Sequence, residues 1–210
     1  MSAKFESTTA KTKLPFPEYD LPPSNPIPLG QKWLQDAILH EVREPRAMTF
    51  TTINQFGLMS SRTMAILGFE NTGISFATHS CSRKIKDVNE TRFACGHFYW
   101  REIGRQLSVS GIIKQESNQR AAEEWNKRPI PLHSMSTISH QSEPLESYEQ
   151  LLSEAQKLEN MGALPRPERF KVYVLEPLAI EFWSSNSDRL HKRMRFDLTQ
   201  NEWKYMRLQP

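Results

Sequence analysis

Met48-Thr49-Phe50-Thr51-Thr52-Ile53 is β-branched and aromatic, and Asn54-Gln55-Phe56-Gly57 follows it with turn residues. Branching at Cβ suits a pleated strand, and an Asn-to-Gly tetrad reverses the chain. The stretch therefore predicts a strand, a tight turn and a returning strand over about 58–67. Asn71-Thr72-Gly73 marks a second turn, and Ile74-Ser75-Phe76-Ala77-Thr78 a third strand. A short helix follows, with Ser82 as its N-cap and its end near Arg92. Residues 93–100 and 106–113 read as two more strands. Strands joined by short turns and broken by one helix form an antiparallel meander, so a barrel is expected rather than a Rossmann sheet.

Upstream, Trp33, Leu34, Ala37 and Ile38 have helical spacing, which predicts a helix over 28–42 ended by Pro45. Before it, Leu14-Pro15-Phe16-Pro17-Glu18-Tyr19-Asp20 and Pro22-Pro23 cannot be helical. Two readings stand for residues 1–27: a disordered arm, or an extended arm held to the body by Phe16 and Tyr19. Downstream, helices are expected over 118–127 and 145–160, the latter stopped by Gly162. Between them, 128–143 is polar and patternless, and a loop of that length is commonly functional. Strands return at 170–183, 190–197 and 203–208. The expected fold class is mainly β with flanking helices (α+β), with an arm (1–27) and a single domain (28–210).

Hydrophobic residues at 38% and charged residues at 24% are ordinary for a globular chain. A chain of 210 residues fills one core, or a core completed by a partner. No window approaches the roughly 20 apolar residues of a membrane span. The polar first residues lack the apolar core of a secretory signal, so a cytoplasmic protein is expected. Cys81 and Cys95 then read as free thiols. A net charge of +3 is too small to suggest nucleic-acid binding, but converging cations would suit a small anion.

Three groups carry such cations. Ser82-Arg83-Lys84 opens a predicted helix, where free amides and the helix dipole already favour an anion, and Thr78 lies just upstream. Arg62 sits near the start of a strand. If it neighbours Lys84, the two can share one phosphate. In Asp188-Arg189-Leu190-His191-Lys192-Arg193-Met194-Arg195, alternation would place Arg189, His191, Arg193 and Arg195 on one strand face. Such a face needs an anion or carboxylates to offset it, and His191 adds a titratable group. Each group has a plain alternative, a solvated surface cluster. His79-Ser80-Cys81 suggests a Cys–His pair or metal ligands only weakly, because no further ligand recurs at zinc spacing.

Taken in order, Arg62, Thr78 to Lys84, Arg105-Gln106, Gln141-Ser142, Ile180-Glu181-Phe182-Trp183 and Arg189-Leu190-His191-Lys192-Arg193 resemble the FMN-dependent pyridoxamine 5′-phosphate oxidase family over roughly 24–210. The resemblance implies a split β-barrel homodimer with FMN at the subunit interface. It implies that Arg62, Arg83, Lys84 and Ser142 hold the phosphate, with Thr78, Ser82 and Gln141 supporting them. The strand from Arg62 through Thr63 to Leu67 would run along the flavin. Gln106, Trp183 and Arg193 would contact the isoalloxazine and ribityl parts, some from the other subunit.

On the substrate side the resemblance is broken. Arg128, Arg189 and His191 match the family's substrate-phosphate set, but Leu67, Glu124 and Leu132 stand where it has a Lys, a Tyr and a Ser. Each lost contact should cost about 1.5–3 kcal/mol. These departures resemble the branch of the family that oxidises reduced phenazine carboxylates with oxygen as acceptor. Arg189 would then pair with a carboxylate of a tricyclic substrate, and His191 would hydrogen-bond it or move a proton. A vitamin oxidase acting on pyridoxamine phosphate is the alternative, and a non-catalytic flavin module a more distant one.

Overall fold

The computed structural model describes residues 10–210. The meander is antiparallel throughout: β1 (Ala47–Ile53), β2 (Met59–Ala65), β3 (Gly68–Glu70), β4 (Gly73–His79), β5 (Phe93–Trp100), β6 (Arg105–Gln115), β7 (Phe170–Ser184), β8 (Lys192–Thr199) and β9 (Glu202–Leu208). The β1–β2 turn forms for the reason read from sequence. The Asn54 side chain accepts from the amides of Phe56 and Leu58, both at 3.0 Å, and Gly57 takes φ +81°. The returning strand is shorter than expected. It ends at Ala65, and Ile66 and Leu67 make a corner whose amides bond Arg46 O and Ser75 O at 3.0 and 2.8 Å.

The strands run in the order β2-β1-β5-β6-β7-β4-β3, with β8 and β9 branching from β7. Strand β7 joins the two branches. Phe170–Leu175 pairs with β4, Ala179–Ser184 pairs with β8, and β6 runs beside both halves. The curl between the halves comes from a bulge at Ser110/Gly111. A Cβ at Gly111 would lie 1.9 Å from Glu176 O, so only glycine admits this approach. One sheet face buries Phe50, Phe76, Phe98, Leu107, Phe182 and Phe196 in the core, and α1 (Ile27–Leu39) adds Trp33. In β1, β5 and β6 and the second half of β7, alternation leaves the other face largely polar and partly exposed, whereas β4 and Val172–Leu175 of β7 are buried on both faces.

The described part of the arm packs against the body. Phe16 is buried with its ring 5.0 Å from Trp33, edge-on, and Tyr19 lies under Lys192 and Arg207. Residues 1–9 lie outside the described residues.

Helices α2 (Arg83–Thr91) and α3 (Asn118–Lys127) fall where expected, and α5 (Tyr148–Glu159) begins three residues later than expected, after Ser147, whose hydroxyl accepts from Gln150 N and caps it. The stretch 128–143 does not stay a loop. A 3-10 turn, Ile130–Leu132, leads into α4 (His133–Ile138). Its anchor is His133, buried and stacked 4.3 Å from Trp125, with Nδ1 accepting from Leu164 N and Nε2 against Arg128 O, each at 3.2 Å. An imidazole in place of an aliphatic anchor made the segment read as polar. Among the described residues, no helix is long and apolar enough to cross a membrane.

Candidate active site

The first cluster forms where α2 begins. Thr78, at the end of β4, receives a hydrogen bond from Lys84 Nζ at 3.0 Å and donates to Gln141 Oε1 at 3.0 Å. Ser142 Oγ accepts from the Arg83 amide at 3.1 Å, which ties the α4–α5 connection to the first turn of α2. Ser142 takes φ +74° to make this approach. Ser82 is the N-cap residue, but its hydroxyl makes no cap bond; it is buried and without a partner among the described residues. Burial pulls the Lys84 ammonium down to about 8, and the neighbouring Arg62 adds to the shift. Arg62 and Lys84 therefore do converge, one from β2 and one from α2. Two cations, the positive end of a helix and hydroxyls make a cluster suited to a phosphate ester, although the Arg83 and Ile85 amides are already bonded to Ser142 Oγ and Ser82 O.

Arg62 itself is fixed from behind. Nη1 donates to Phe50 O (3.1 Å) and Thr52 Oγ1 (2.9 Å), and Nη2 to Ser60 Oγ (2.7 Å). Both hydroxyls donate in turn to Asp87 Oδ2, at 2.7 and 3.1 Å. The sequence reading missed Asp87. Its signal was spacing: Asp87 lies three residues beyond Lys84, on the same face of α2.

The second cluster is a row across the polar sheet face. Gln106 in β6 is opposite Trp183 in β7, which is opposite Arg193 in β8. Directly paired residues share a face, so the three side chains stand side by side. Arg193 is held by Glu181 Oε1 at 3.0 and 2.6 Å, and Arg195 by Asp197, so carboxylates offset this basic strand. Thr63 lies on the same polar face, three strands beyond Gln106, and Leu67 lies at the corner after β2.

The expected strand over 190–197 begins later, at Lys192. Arg189 is not on a strand face with Arg193. It takes φ +65° in a turn where Leu190 N bonds Asp188 Oδ1 at 2.9 Å. His191 stands at the end of that turn with its ring 4.7 Å from Trp183. Its Nδ1 accepts from Asn186 N at 3.0 Å, which leaves Nε2 to carry the neutral ring's proton. Asn186 is held through its side chain by Lys13 of the arm, at 2.7 Å. A cavity of about 400 Å³ opens beside this loop, bounded by Lys13–Phe16, Ser184–Asn186 and Lys192.

Arg128, Glu124 and Leu132 gather elsewhere, around α3 and α4. Arg128 lies 5.7 Å over the Phe170 ring and donates to Ser136 Oγ at 3.1 Å. Glu124 is shared between Arg120 and Lys127, at 3.4 and 3.1 Å. Leu132 is exposed. Nearby His79 is buried and held neutral, its ring pulled down to about 4 by burial first and then by Arg169 and Lys84.

The Lys84 cluster and the Gln106–Trp183–Arg193 row stand near opposite ends of β7. Thr78 pairs with Lys171 at the start of β7, and Gln106 pairs with Trp183 near its end. Twelve residues of strand separate the two positions, about 40 Å of extended chain.

Residues 170–210 match the pyridoxine 5′-phosphate oxidase C-terminal dimerisation region. Over all 210 residues the chain is 44% identical to a dihydrophenazinedicarboxylate synthase of Burkholderia lata, covering 99% of it. It is 33% identical over 189 residues to a pyridoxine/pyridoxamine 5′-phosphate oxidase 2 of Hydrogenovibrio crunogenus, covering 89% of each. The chain belongs to the pyridoxine 5′-phosphate oxidase family. Within that family, the structure of PhzG from B. lata in complex with tetrahydrophenazine-1-carboxylic acid superposes with a TM-score of 0.92 at 43% identity, covering 96% of this chain and all of that one. A pyridoxamine 5′-phosphate oxidase-related, FMN-binding protein of Nostoc punctiforme shares the fold at a TM-score of 0.71 and 16% identity, covering 86% of this chain and 96% of that one.

Proposed function

We propose that this family member is an FMN-dependent oxidase of reduced phenazine carboxylates, working as a homodimer with oxygen as the acceptor. The observation that carries the reading is the donor-poor substrate side. Leu67 and Leu132 offer no hydrogen bond, and Glu124 brings a carboxylate where a substrate phosphate would need a donor. The likeness to the synthase along the whole chain agrees with this.

The residues fit FMN. Arg62, Lys84, Thr78, Ser142 and the positive start of α2 suit its phosphate, with Gln141 and the Ser82 hydroxyl, unpartnered among the described residues, beside them. Gln106, Trp183 and Arg193 of a second chain would supply the ring side, since one chain holds the two groups apart. When bound, the flavin accepts the substrate's electrons and passes them to oxygen. The chain's part is binding and orientation. Arg189 pairs with a substrate carboxylate, His191 offers its Nε2 proton, and Trp183 gives an apolar wall for a flat ring.

The deciding experiment mixes the protein anaerobically with a chemically reduced phenazine carboxylate or with pyridoxamine 5′-phosphate and follows the visible flavin band. Bleaching by the phenazine compound alone is expected. Bleaching by pyridoxamine phosphate alone would replace this reading with the vitamin oxidase, and bleaching by neither would leave a flavin-binding module.

Replacing Arg189 by alanine is expected to raise KM about 10- to 100-fold while changing kcat much less, because the carboxylate contact exists in ground and transition states alike. Steady-state kinetics on the reduced phenazine carboxylate measures this, and an unchanged KM would remove the role.

Lys84 predicts a pH dependence. Its ammonium is the binding form and is lost near pH 8. A phosphate ester becomes a dianion above about pH 6. FMN affinity should therefore peak between the two and fall by up to about tenfold per pH unit above 8. Lys84→Arg keeps the charge and should flatten the alkaline limb in a flavin-fluorescence titration. A limb that persists in this variant would assign the titration to another group.

A further inference from the structure

We infer that Asp87 is a positioning residue for phosphate binding, acting through Thr52 and Ser60 to hold the Arg62 guanidinium in one orientation. The inference rests on the flavin reading above and extends it to a residue that touches no ligand.

The geometry follows from proton placement. A hydroxyl can accept from Arg62 with a fixed geometry only if its own proton points elsewhere. Thr52 Oγ1 and Ser60 Oγ each accept from Arg62, and both direct their protons to one oxygen, Asp87 Oδ2. Three of the five guanidinium N–H groups are thereby spent on Phe50 O, Thr52 and Ser60, and, among the described residues, two remain for an anion. Asp87 is buried, so its oxygen is shielded from water that would otherwise compete for these protons. Burial also lowers the Arg62 pKa, an effect that Asp87 opposes and Arg83 adds to. The arrangement orients a half-buried cation without placing a carboxylate against the ligand: two hydroxyls stand between.

A bare carboxylate near an anion site would repel the anion, so the two effects of Asp87 have opposite signs. Positioning predicts that its removal weakens binding; simple charge predicts that removal strengthens it. Full-length protein freed of flavin and titrated with FMN and with riboflavin separates them, because riboflavin lacks the phosphate. Asp87→Ala is expected to weaken FMN binding about tenfold, the worth of one charge-assisted hydrogen bond, and to leave riboflavin binding unchanged. Asp87→Asn keeps an acceptor oxygen and should restore affinity to within about threefold of the wild type. In an Arg62→Met background, Asp87→Ala should add nothing.

If Asp87→Ala does not fold, Ser60→Ala and Thr52→Val remove the bridges singly and should each give a smaller, FMN-selective loss. Unchanged or tighter FMN binding by Asp87→Ala, or equal loss of FMN and riboflavin, would overturn the role while leaving the flavin reading intact. A wild-type chain that binds neither flavin would overturn the flavin reading and this role with it.

Discussion

Co-expressing two inactive variants, Arg62→Met and Arg193→Met, is expected to restore about a quarter of wild-type turnover. Alone, each should lose about 100-fold or more, because on the proposed flavin reading each would remove a charge-assisted contact to an anionic part of the cofactor. The recovery follows from where the chain puts the two arginines. Arg62 works beside α2, at the Thr78 end of β7, and Arg193 pairs with Trp183 at the other end. A site needing both must draw them from two chains, and the match of 170–210 to a dimerisation region supports such a pairing. Half of randomly assembled dimers are mixed, and a mixed dimer carries one doubly damaged site and one intact site. The check is turnover per chain, about a quarter of wild type in the co-expressed mixture and about half in the doubly tagged heterodimer purified from it. A heterodimer as inactive as its parents would place both arginines in one site of one chain.

The fold was largely legible because its strands announce themselves. Phe50, Phe76, Phe98 and Phe182 alternate with polar residues, and Asn54–Gly57 closes a turn through its own side chain. The misreadings share a physical cause: a polar residue doing local structural work. His133 nucleates α4 through a ring stack and a bond to Leu164 N, which no hydrophobic pattern reveals. Asp188 bends the chain at Arg189, where alternation alone predicted a strand. For the site, residue types and order marked Lys84, Ser142, Gln106 and Trp183, and the structure gathers them into two groups. What order cannot convey is that the groups stand at opposite ends of β7, or that Asp87 backs Arg62 through two hydroxyls. Both depend on distances between elements that no spacing along the chain encodes.

Arg105→Met is expected to cost about 3–5 kcal/mol of stability and to release the arm. The guanidinium is 1% exposed and joins three elements. Nη1 bonds Asp36 of α1 at 2.7 Å, Nη2 bonds Pro15 O of the arm at 2.8 Å, and the plane lies 4.3 Å from the Trp33 ring. Burial works against its charge, and the bond to Asp36 offsets that cost. Methionine fills similar space but strands Asp36 and the Pro15 carbonyl. Because Asp36 keeps some access to water, the lower end of the range is expected, and adding Asp36→Leu should recover part of the loss. Urea unfolding measures the stability, and limited proteolysis within 10–26 reports the arm; an arm as resistant as in the wild type would show that Phe16 packing suffices without Arg105. Lys13 lies two residues before Pro15 and holds Asn186, whose amide holds His191. Release of the arm should therefore reach His191 and the substrate before it reaches the phosphate cluster, which lies at the far end of β7. A rise in KM for the reduced phenazine carboxylate with FMN affinity unchanged is the pattern this chain of contacts requires.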